Sequence, residues 1–575
     1  MAASSESEQA KLHRFLQWLQ ANGVDLRGSS IRHCGPNKGF GVFSTAQPAG
    51  NHGDGVVMVV PLDLAITPMR VLQDPTLGPR CRALFEEGDV DDRFLVMIYL
   101  MVQRLRPNSL WKPYLDMLPS TFGSTLWFTE VELSELKGTT LYQATVVQRK
   151  KLQALYDDKV RGLVEELLHC DGELESVTEV RFEDFLWANS IFWTRALNIP
   201  FPRSYVFPDS IRGQDNDTMC QGSECGYPVT QNPGETSGHG QSEKKEVANI
   251  MVEKRNDEAL KTLNEETIWV EGLVPGIDFC NHGLKAVATW EVDPAGKITG
   301  IPASMYLVIV DQSTGEVEKE IYISYGNKGN EELLYLYGFV IENNPDDYLM
   351  VHYPIEALQG IPLSDSRARL LDMQKAELRC LLPRNLLDHG FFAGSPLRNE
   401  DNGEGPTSRL CNYSWSGQRK VPSYLNKLVF PQEFVAALRT IAMKEHELSL
   451  VASLLEELVG SGTEKQPSDV EVQAAVWEAC GDLEALELLV DLLRVKMMEL
   501  EEGSGTEASD TELLERFHFG EVEDHESRNN KYSEDKLMSR NRWSSIVYRK
   551  GQKQLTSLFL REAEHALELC ASEQS

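Results

Sequence analysis

Two stretches of the sequence decide the fold, LVPGIDFCNHG at 273–283 and EIYISYGNKGNEELLYLYGF at 320–339. The first runs from apolar residues into a group of polar ones that need hydrogen-bond partners if they are buried. The second alternates apolar and polar residues as a strand does, turns at Ser-Tyr-Gly around Tyr325, and continues with helical spacing to Tyr337. Strand and helix signals therefore follow each other closely in this part of the chain.

The same mixture extends toward the N-terminus. Apolar residues between Leu12 and Leu19 have the i, i+3, i+4, i+7 spacing of an amphipathic helix, which Asn22-Gly23 ends. Short apolar runs such as GFGVFS and VVMVVPL, separated by Gly, Pro and Asn, predict strands. Residues 92–104 and 146–169 predict buried helices. The sequence therefore predicts an α+β domain.

Two domains are predicted, at 1–344 and 345–575, because the helical pattern prevails after residue 344. The first is expected to carry a helical insertion at about 85–200. A polar stretch at about 209–265 is expected to be disordered, since too few apolar residues are available to offset the entropy of ordering it. The second domain is expected to be mostly α-helical, with polar loops such as 501–512 between its helices.

Composition and charge exclude several classes of protein. The 575 residues are 41% hydrophobic and 25% charged, as in globular proteins, and the formal net charge of −32 disfavours nucleic acid as the main ligand. The ten cysteines form neither a disulfide framework nor a zinc pattern, so no metal is expected. The apolar run at 95–102 is too short for a membrane span. An intracellular protein without a targeting segment is expected, in the cytoplasm by default, with the nucleus as an alternative.

Taken singly, the motifs that could carry chemistry have structural explanations. The Gly-x-Gly turn around Phe40 lacks the third glycine of a dinucleotide fingerprint, so an NAD site is rejected. Arg195, which follows an aromatic run, could close an ion pair or hold a ligand carboxylate. No Gly-x-Ser-x-Gly elbow or P-loop occurs, and a serine hydrolase or nucleotide hydrolase is not supported.

Taken in order, the set GFGVFS, WTRA, DFCNHG and YISYGNKGNEELLYLYGF resembles the SET-domain methyltransferases. The similarity is to the non-histone branch, which includes the plant Rubisco large-subunit lysine methyltransferases. It continues through PLDLAIT at 61–67 and WKPYLDMLP at 111–119, and it covers most of residues 10–345. The helical tail, with VFPQEFVAALR at 429–439 and YRKGQKQL at 548–555, resembles the substrate-binding domain of that branch.

The resemblance implies transfer of a methyl group from S-adenosylmethionine (AdoMet) to a lysine of a non-histone protein. It assigns a role to each matching residue. The implied catalytic residue is Tyr325. The implied AdoMet-binding residues are Lys38, Gly39, Phe40, Arg195, Asn281 and His282, with Arg195 on the methionyl carboxylate. The implied walls of the acceptor channel are Trp290, which stands where relatives tend to carry tyrosine, and Tyr337.

Two alternatives to lysine methylation remain at this point. A histidine acceptor is known among relatives of this fold, so an imidazole substrate fits the same reaction class. A catalytically silent SET-fold protein that holds a protein tail is the alternative from another class. The identity of the substrate, the number of methyl groups and the oligomeric state do not follow from the sequence.

Overall fold

A computed structural model of the chain describes residues 7–35, 38–45, 55–88, 90–169, 179–207, 267–310, 318–393, 422–459, 466–517 and 538–574. The insertion expected at about 209–265 lies outside these residues. The described part contains both helices and antiparallel strands. The α+β class predicted from the sequence is confirmed.

The strands are short and pair with antiparallel neighbours. Their bounds are β1 Ser29–His33, β2 Phe40–Ser44, β3 Val56–Pro61, β4 Leu197–Pro202, β5 Thr267–Gly272, β6 Ala288–Asp293, β7 Ser304–Ile309, β8 Tyr348–His352 and β9 Arg379–Pro383. They form the sheets β1-β2, β3-β7-β6, β4-β5 and β8-β9.

The helices vary from single turns to one long C-terminal helix. Their bounds are α1 Glu8–Ala21, α2 Pro68–Gln73, α3 Gly78–Glu86, α4 Asp92–Leu105, α5 Lys112–Leu115, α6 Glu130–Ser134, α7 Thr140–Leu155, α8 Arg161–His169, α9 Phe182–Arg195, α10 Arg203–Val206, α11 Asn330–Glu332, α12 Ile355–Leu358, α13 Ser364–Met373, α14 Gln432–Ala442, α15 Glu445–Val459, α16 Asp469–Ala479, α17 Leu483–Glu502, α18 Glu507–Arg516 and α19 Arg540–Gln574. Single π-helical turns follow α7 and α11, at Tyr156–Val160 and Leu333–Tyr337.

The chain divides into two compact units, the first at 1–122 and 150–327 and the second at 123–149 and 328–575. The last boundary between the units therefore lies after residue 327. The second unit also includes residues 123–149, which lie between the two segments of the first unit in the sequence. The division at residue 344 stays a prediction about domains, as does the extent of the helical insertion.

The first unit is built around α4 and the three β-sheets. Ten consecutive residues of α4, from Phe94 to Gln103, are buried, which explains why its sequence is apolar on every face. In the central sheet, β7 lies between β3 and β6, and Tyr306 of β7 pairs with Val59 on one side and Glu291 on the other. The middle of β3 is fully buried, as its unbroken run of valine and methionine predicts.

An aromatic cluster of the first unit packs beneath the residues predicted to form the site. The ring of Phe15 in α1 lies 5.3 Å from that of Phe279, and the ring of Tyr114 in α5 lies 6.4 Å from Phe279. Phe15, Tyr114 and Phe279 are almost completely buried. The leading helix predicted from the sequence thus supports the segment at 277–279 from below by its apolar face.

The second unit is mainly helical. Its largest core collects buried side chains from β8, β9 and several helices, including Leu349, Leu382, Leu438 on α14, Leu489 on α17 and Phe559 on α19. Among the described helices of the whole chain, none is long and apolar enough to cross a bilayer.

Two expectations about local structure were wrong. The residues EIYISYG do not form a continuous strand: they make isolated bridges, Glu320 with Phe43 and Ile323 with His282. The polar stretch 501–512 is not a loop throughout, since α18 begins at Glu507. The Thr506 side chain caps that helix by accepting a hydrogen bond from the backbone of Ser509, a start signal that its polar composition concealed.

Candidate functional site

The Asn-His motif and the tyrosine motif lie side by side in the first unit. Asn281 accepts a backbone hydrogen bond from Ile323 at 3.0 Å, and Gly283 donates one to Ile323 at 3.1 Å, so the two segments run parallel there. Gly283 has no room for a Cβ, which would lie 2.8 Å from Tyr322. This close approach brings together two motifs that are about forty residues apart in the sequence.

Tyr325 is fixed by two hydrogen bonds to the Asn-His segment. Its hydroxyl donates to the carbonyl oxygen of Cys280 at 2.9 Å, and its backbone N–H donates to Nδ1 of His282 at 3.1 Å. The two rings lie 5.2 Å apart. Because Nδ1 accepts a hydrogen bond and burial lowers the pKa of His282, the imidazole is neutral with its proton on Nε2.

The Gly-x-Gly turn meets the same motif from the other side. The Asn281 amide donates to the carbonyl oxygen of Phe40 at 3.3 Å and to Oε1 of Glu320 at 2.6 Å. Gly39 has φ +69°, a left-handed conformation that favours glycine, and no atom of the described residues lies within 4 Å of the place where its Cβ would be. The backbone at Gly39 is therefore open to close approach by a ligand.

Gly41 is required for another reason. A Cβ at this position would lie 2.5 Å from Sγ of Cys34 and 2.7 Å from Oε1 of Glu320. The second glycine of the turn thus makes room for protein side chains. Lys38 at the start of the turn is exposed, and its Nζ lies 3.9 Å from Oε2 of Glu320.

Arg195, the last residue of α9, points toward the Asn-His segment. Its Nη1 donates to the carbonyl oxygen of Asp278 at 2.9 Å and lies 3.9 Å from that residue's carboxylate, while the guanidinium sits 4.8 Å from the centre of the Phe279 ring. The side chain keeps 16% of its surface exposed. A guanidinium so placed retains donors for an anionic ligand.

The carboxyl group behind Arg195 is completely buried. Tyr114 donates its hydroxyl to Oδ2 of Asp278 at 2.5 Å, and the backbone of Gly276 donates to Oδ1 at 3.1 Å. Burial raises the pKa of Asp278 to about 6, although Arg195 and these hydrogen bonds oppose the rise. Burial also raises the pKa of Tyr114, which stays a hydroxyl donor at neutral pH.

The predicted site residues divide into three groups. One cluster in the first unit contains Lys38, Gly39, Phe40, Asn281, His282 and Tyr325, and Arg195 lies beside it through its hydrogen bond to Asp278. Trp290 is placed on β6, where its indole N–H donates to the carbonyl oxygen of Asn198 in β4. Tyr337 belongs to the second unit, in the π-helical turn after α11, and burial raises its pKa to about 12. The roles of all these residues stay predictions.

The sequence did not predict the roles of Glu320, which contacts the Asn281 amide, or of Tyr114, which contacts Asp278. Glu320 begins the EIYISYG segment, in which Ile321 and Ile323 are buried while Glu320 and Tyr322 are only partly buried. That alternation places Glu320 and Tyr322 on one face, a signal that was available in the sequence. Tyr114 lies 164 residues from its partner Asp278, and no local pattern reveals the pair.

The residues around the glycine turn and Arg195 suit a ligand that carries a carboxylate and contacts the protein backbone closely, as a methyl donor of the AdoMet type would. The open turn at Gly39, the half-buried Asn281 and the accessible guanidinium of Arg195 supply both features. Within the described ranges, no group of three or more His, Cys, Asp or Glu side chains could hold a metal ion.

Known proteins share both sequence and fold with this chain, although no protein-family model matches it. A chloroplastic [fructose-bisphosphate aldolase]-lysine N-methyltransferase of Arabidopsis thaliana is 29% identical over 198 residues, which are 34% of this chain and 38% of that protein. An actin-histidine N-methyltransferase of Otolemur garnettii is 23% identical over 76% of this chain and 64% of that protein.

The fold is that of a solved structure, the SET domain of LSMT bound to lysine and AdoHcy. The TM-score is 0.57 at 18% identity, and the match covers 98% of this chain and 93% of that one. The aligned sequence, by contrast, spans little more than a third of the aldolase-methylating relative. The chain therefore has the SET-domain fold of LSMT, and the predicted resemblance to the Rubisco-type lysine methyltransferases is confirmed.

Proposed function

We propose that this protein is an AdoMet-dependent lysine N-methyltransferase that acts on a non-histone protein. The observation that carries the proposal is the cluster in which Tyr325, His282 and Asn281 are held together by hydrogen bonds between two motifs. The names of the relatives support it, since they modify protein side chains. So does the fold, because LSMT was solved with lysine and AdoHcy.

The donor would occupy the first unit, between the glycine turn and Arg195. Gly39 offers accessible backbone, and Asn281 is held in place by Phe40 and Glu320. The guanidinium of Arg195 would pair with the donor's carboxylate through charge-assisted hydrogen bonds. AdoMet carries its methyl group on a positively charged sulfur. The lone pair of the neutral amine would attack this methyl carbon, and the C–S bond would break as the N–C bond forms. AdoHcy would leave as a neutral thioether, and the methylated nitrogen would carry the positive charge until it loses a proton to solvent.

Tyr325 would act at the point of transfer. Its hydroxyl is held toward the Cys280 carbonyl, and the two oxygens form a polar edge beside His282. An acceptor lysine must arrive deprotonated, although a free lysine has a pKa of about 10.4. Desolvation on entering the site lowers that pKa, and alignment of the amine with the methyl group provides most of the acceleration.

Histidine is the second candidate acceptor, because the actin-histidine relative matches 76% of this chain. The pH dependence of the rate separates the two. A lysine acceptor gives a rate that still rises above about pH 8, whereas a histidine of pKa about 6.5 is already neutral at pH 7.5 and gives a plateau. Mass spectrometry of the methylated peptide identifies the residue directly.

Calorimetric titration of the purified chain with AdoMet tests the proposal without a known substrate. We expect saturable binding by the wild-type protein and at least tenfold weaker binding by Arg195→Ala, which lacks the predicted partner of the donor carboxylate. Arg80→Ala is the matched control, since Arg80 pairs with Glu166 on the surface of the same unit.

Equal affinity of the wild-type and Arg195→Ala proteins would remove Arg195 from the donor site. No binding by the folded wild-type chain would reject the enzymatic function, and the silent protein-binding alternative would then replace it. Circular dichroism spectra of each variant confirm that the protein tested is folded.

A further inference from the structure

We propose that Glu320 is a positioning residue of the donor site, which acts by holding the Asn281 amide and the glycine turn in one arrangement. This inference rests on the proposed function. Glu320 does not have to touch the donor or the acceptor for this role. Its effect would reach the donor through Asn281, whose amide in turn holds the backbone carbonyl of Phe40.

The carboxylate of Glu320 connects three separate parts of the chain. Its Oε1 accepts from the Asn281 amide at 2.6 Å and from the thiol of Cys34 at 3.5 Å, and its Oε2 accepts from the Tyr322 hydroxyl at 2.5 Å. Only 10% of the side chain is exposed. The ammonium of Lys38, whose Nζ lies 3.9 Å from Oε2, contributes to compensating its charge.

The donors around this carboxylate keep their protons at neutral pH. Burial, with a contribution from Glu320, raises the pKa of the Cys34 thiol to about 12. Burial and the hydrogen bond to Glu320 also raise the pKa of Tyr322. The carboxylate therefore accepts from an amide, a thiol and a hydroxyl at once, which leaves the Asn281 side chain one favourable orientation.

The same carboxylate explains the second glycine of the turn. A Cβ on Gly41 would lie 2.7 Å from Oε1 of Glu320 and 3.1 Å from the Asn281 amide nitrogen. The turn can therefore approach Asn281 only because residue 41 has no side chain. The backbone of the segment around Glu320 is also tied to β2, since Ile321 donates to the carbonyl of Val42 at 2.7 Å.

The test is a double-mutant cycle read by AdoMet affinity. Glu320→Ala should weaken AdoMet binding by about tenfold or more, because the Asn281 amide loses a charge-assisted partner. Glu320→Gln keeps an oxygen that can accept from Asn281, and it should restore affinity to within about threefold of wild type. In an Asn281→Ala background, Glu320→Ala should change affinity by less than about twofold, since its effect passes through Asn281.

Glu291→Gln is the matched control. Glu291 also accepts a hydrogen bond from a tyrosine hydroxyl, that of Tyr306, in the same unit, but it lies on β6 outside this cluster. Its replacement should leave AdoMet affinity unchanged. Thermal melts without AdoMet show whether each variant is folded, and the Gln variant keeps the test decisive if the Ala variant is not.

The outcomes separate this inference from the proposed function. AdoMet binding by the wild-type chain together with unchanged affinity of Glu320→Ala would overturn the role of Glu320 alone. Additive effects of the two replacements, or no rescue by Gln, would show that Glu320 does not act through Asn281 and would overturn it as well. No AdoMet binding by the wild-type chain would overturn both proposals.

Discussion

Two loops of the first unit each bury an aspartate, and the pKa values of the two carboxyl groups move in opposite directions. Asp293 accepts hydrogen bonds from the backbone of Lys297, Ile298 and Thr299 and from the Thr299 hydroxyl. Burial opposes its ionisation, but these hydrogen bonds outweigh burial and its pKa is lowered. In the other loop, burial prevails and raises the pKa of Asp278 to about 6.

We propose that the difference separates a supporting loop, at 293–299, from a functional one, at 276–283. The loop at 293–299 is folded around its carboxylate, which is the arrangement expected of a structural cap. The loop at 276–283 instead contains a buried acid that ionises unfavourably beside a partly exposed arginine. Perturbed acids of this kind concentrate where a site is arranged for a ligand. Three substitutions test whether the two loops differ in this way.

The largest effect is expected from Tyr325→Phe, which removes the hydroxyl held by the functional loop. We expect methyl transfer to fall about a thousandfold, because a polar group that orients the reacting atoms is lost. AdoMet affinity and thermal stability should change little. The measurement is transfer of labelled methyl groups from AdoMet to proteins of a cell extract.

Tyr205→Phe is the control for this substitution, since Tyr205 also loses a hydrogen bond, to Asp63, in the same unit. It should retain wild-type transfer. If Tyr325→Phe transferred methyl groups at the wild-type rate, Tyr325 would have no part in the chemistry. The proposal that the loop at 276–283 is functional would then be rejected.

The next effect is expected in the supporting loop. Asp293→Ala leaves three backbone N–H groups without their acceptor, and we expect a loss of about 3 kcal/mol in the free energy of unfolding at pH 7, measured by denaturant titration. AdoMet affinity of the folded variant should not change. Asp63→Ala removes an exposed aspartate of the same unit and serves as the control.

The lowered pKa of Asp293 sets the pH range of that effect. Its contribution to stability is present above its unfolded pKa of about 3.8 and is lost as the pH falls through the lower folded value. The stability difference between wild type and Asp293→Ala should therefore stay constant from pH 6 to 8. If the difference disappeared in this range, the hydrogen bonds from residues 297–299 would not hold Asp293 as a carboxylate.

The sequence predicts the functional loop better than it predicts the side chains around it. The motifs at Asn281-His282 and Tyr325 are local, so their polar residues can be read directly. The helix at 8–21 follows from its apolar spacing, and the helix at 92–105 follows from the length of its apolar run. The alternation in EIYISYG predicted a strand, yet its neighbours allow only isolated bridges. An alternating pattern indicates which side chains share a face of the strand, but it does not determine which neighbouring strand will pair with it.

The partners that were missed lie far apart in the sequence. Glu320 contacts Cys34, which is 286 residues away, and Tyr114 contacts Asp278 across 164 residues. A single sequence contains no signal for such pairs, because a glutamate beside isoleucine and tyrosine has the pattern of an ordinary surface residue. The site's outline was therefore predictable from its motifs, while the charges that orient it required the tertiary structure.

The smallest of the three effects, expected from Asp278→Asn, tests the functional loop by its pH dependence. Since the folded pKa of about 6 lies above the ordinary 3.8, the folded chain binds more protons than the unfolded chain between these values, and the stability of wild type falls as the pH rises through them. The whole difference corresponds to about 3 kcal/mol, of which about 2 kcal/mol falls between pH 4 and 8, because the remainder is already lost below pH 4. Asn carries no charge at any pH, so the variant should gain this amount relative to wild type between pH 4 and 8 in thermal and denaturant melts. Over the upper part of that range, from pH 5 to 8, Asp293→Asn should show no such gain, because its carboxyl titrates below 3.8. If the free energy of unfolding depended on pH equally in Asp278→Asn and wild type, Asp278 would ionise at little cost. The two loops would then not differ in how they hold their carboxyl groups.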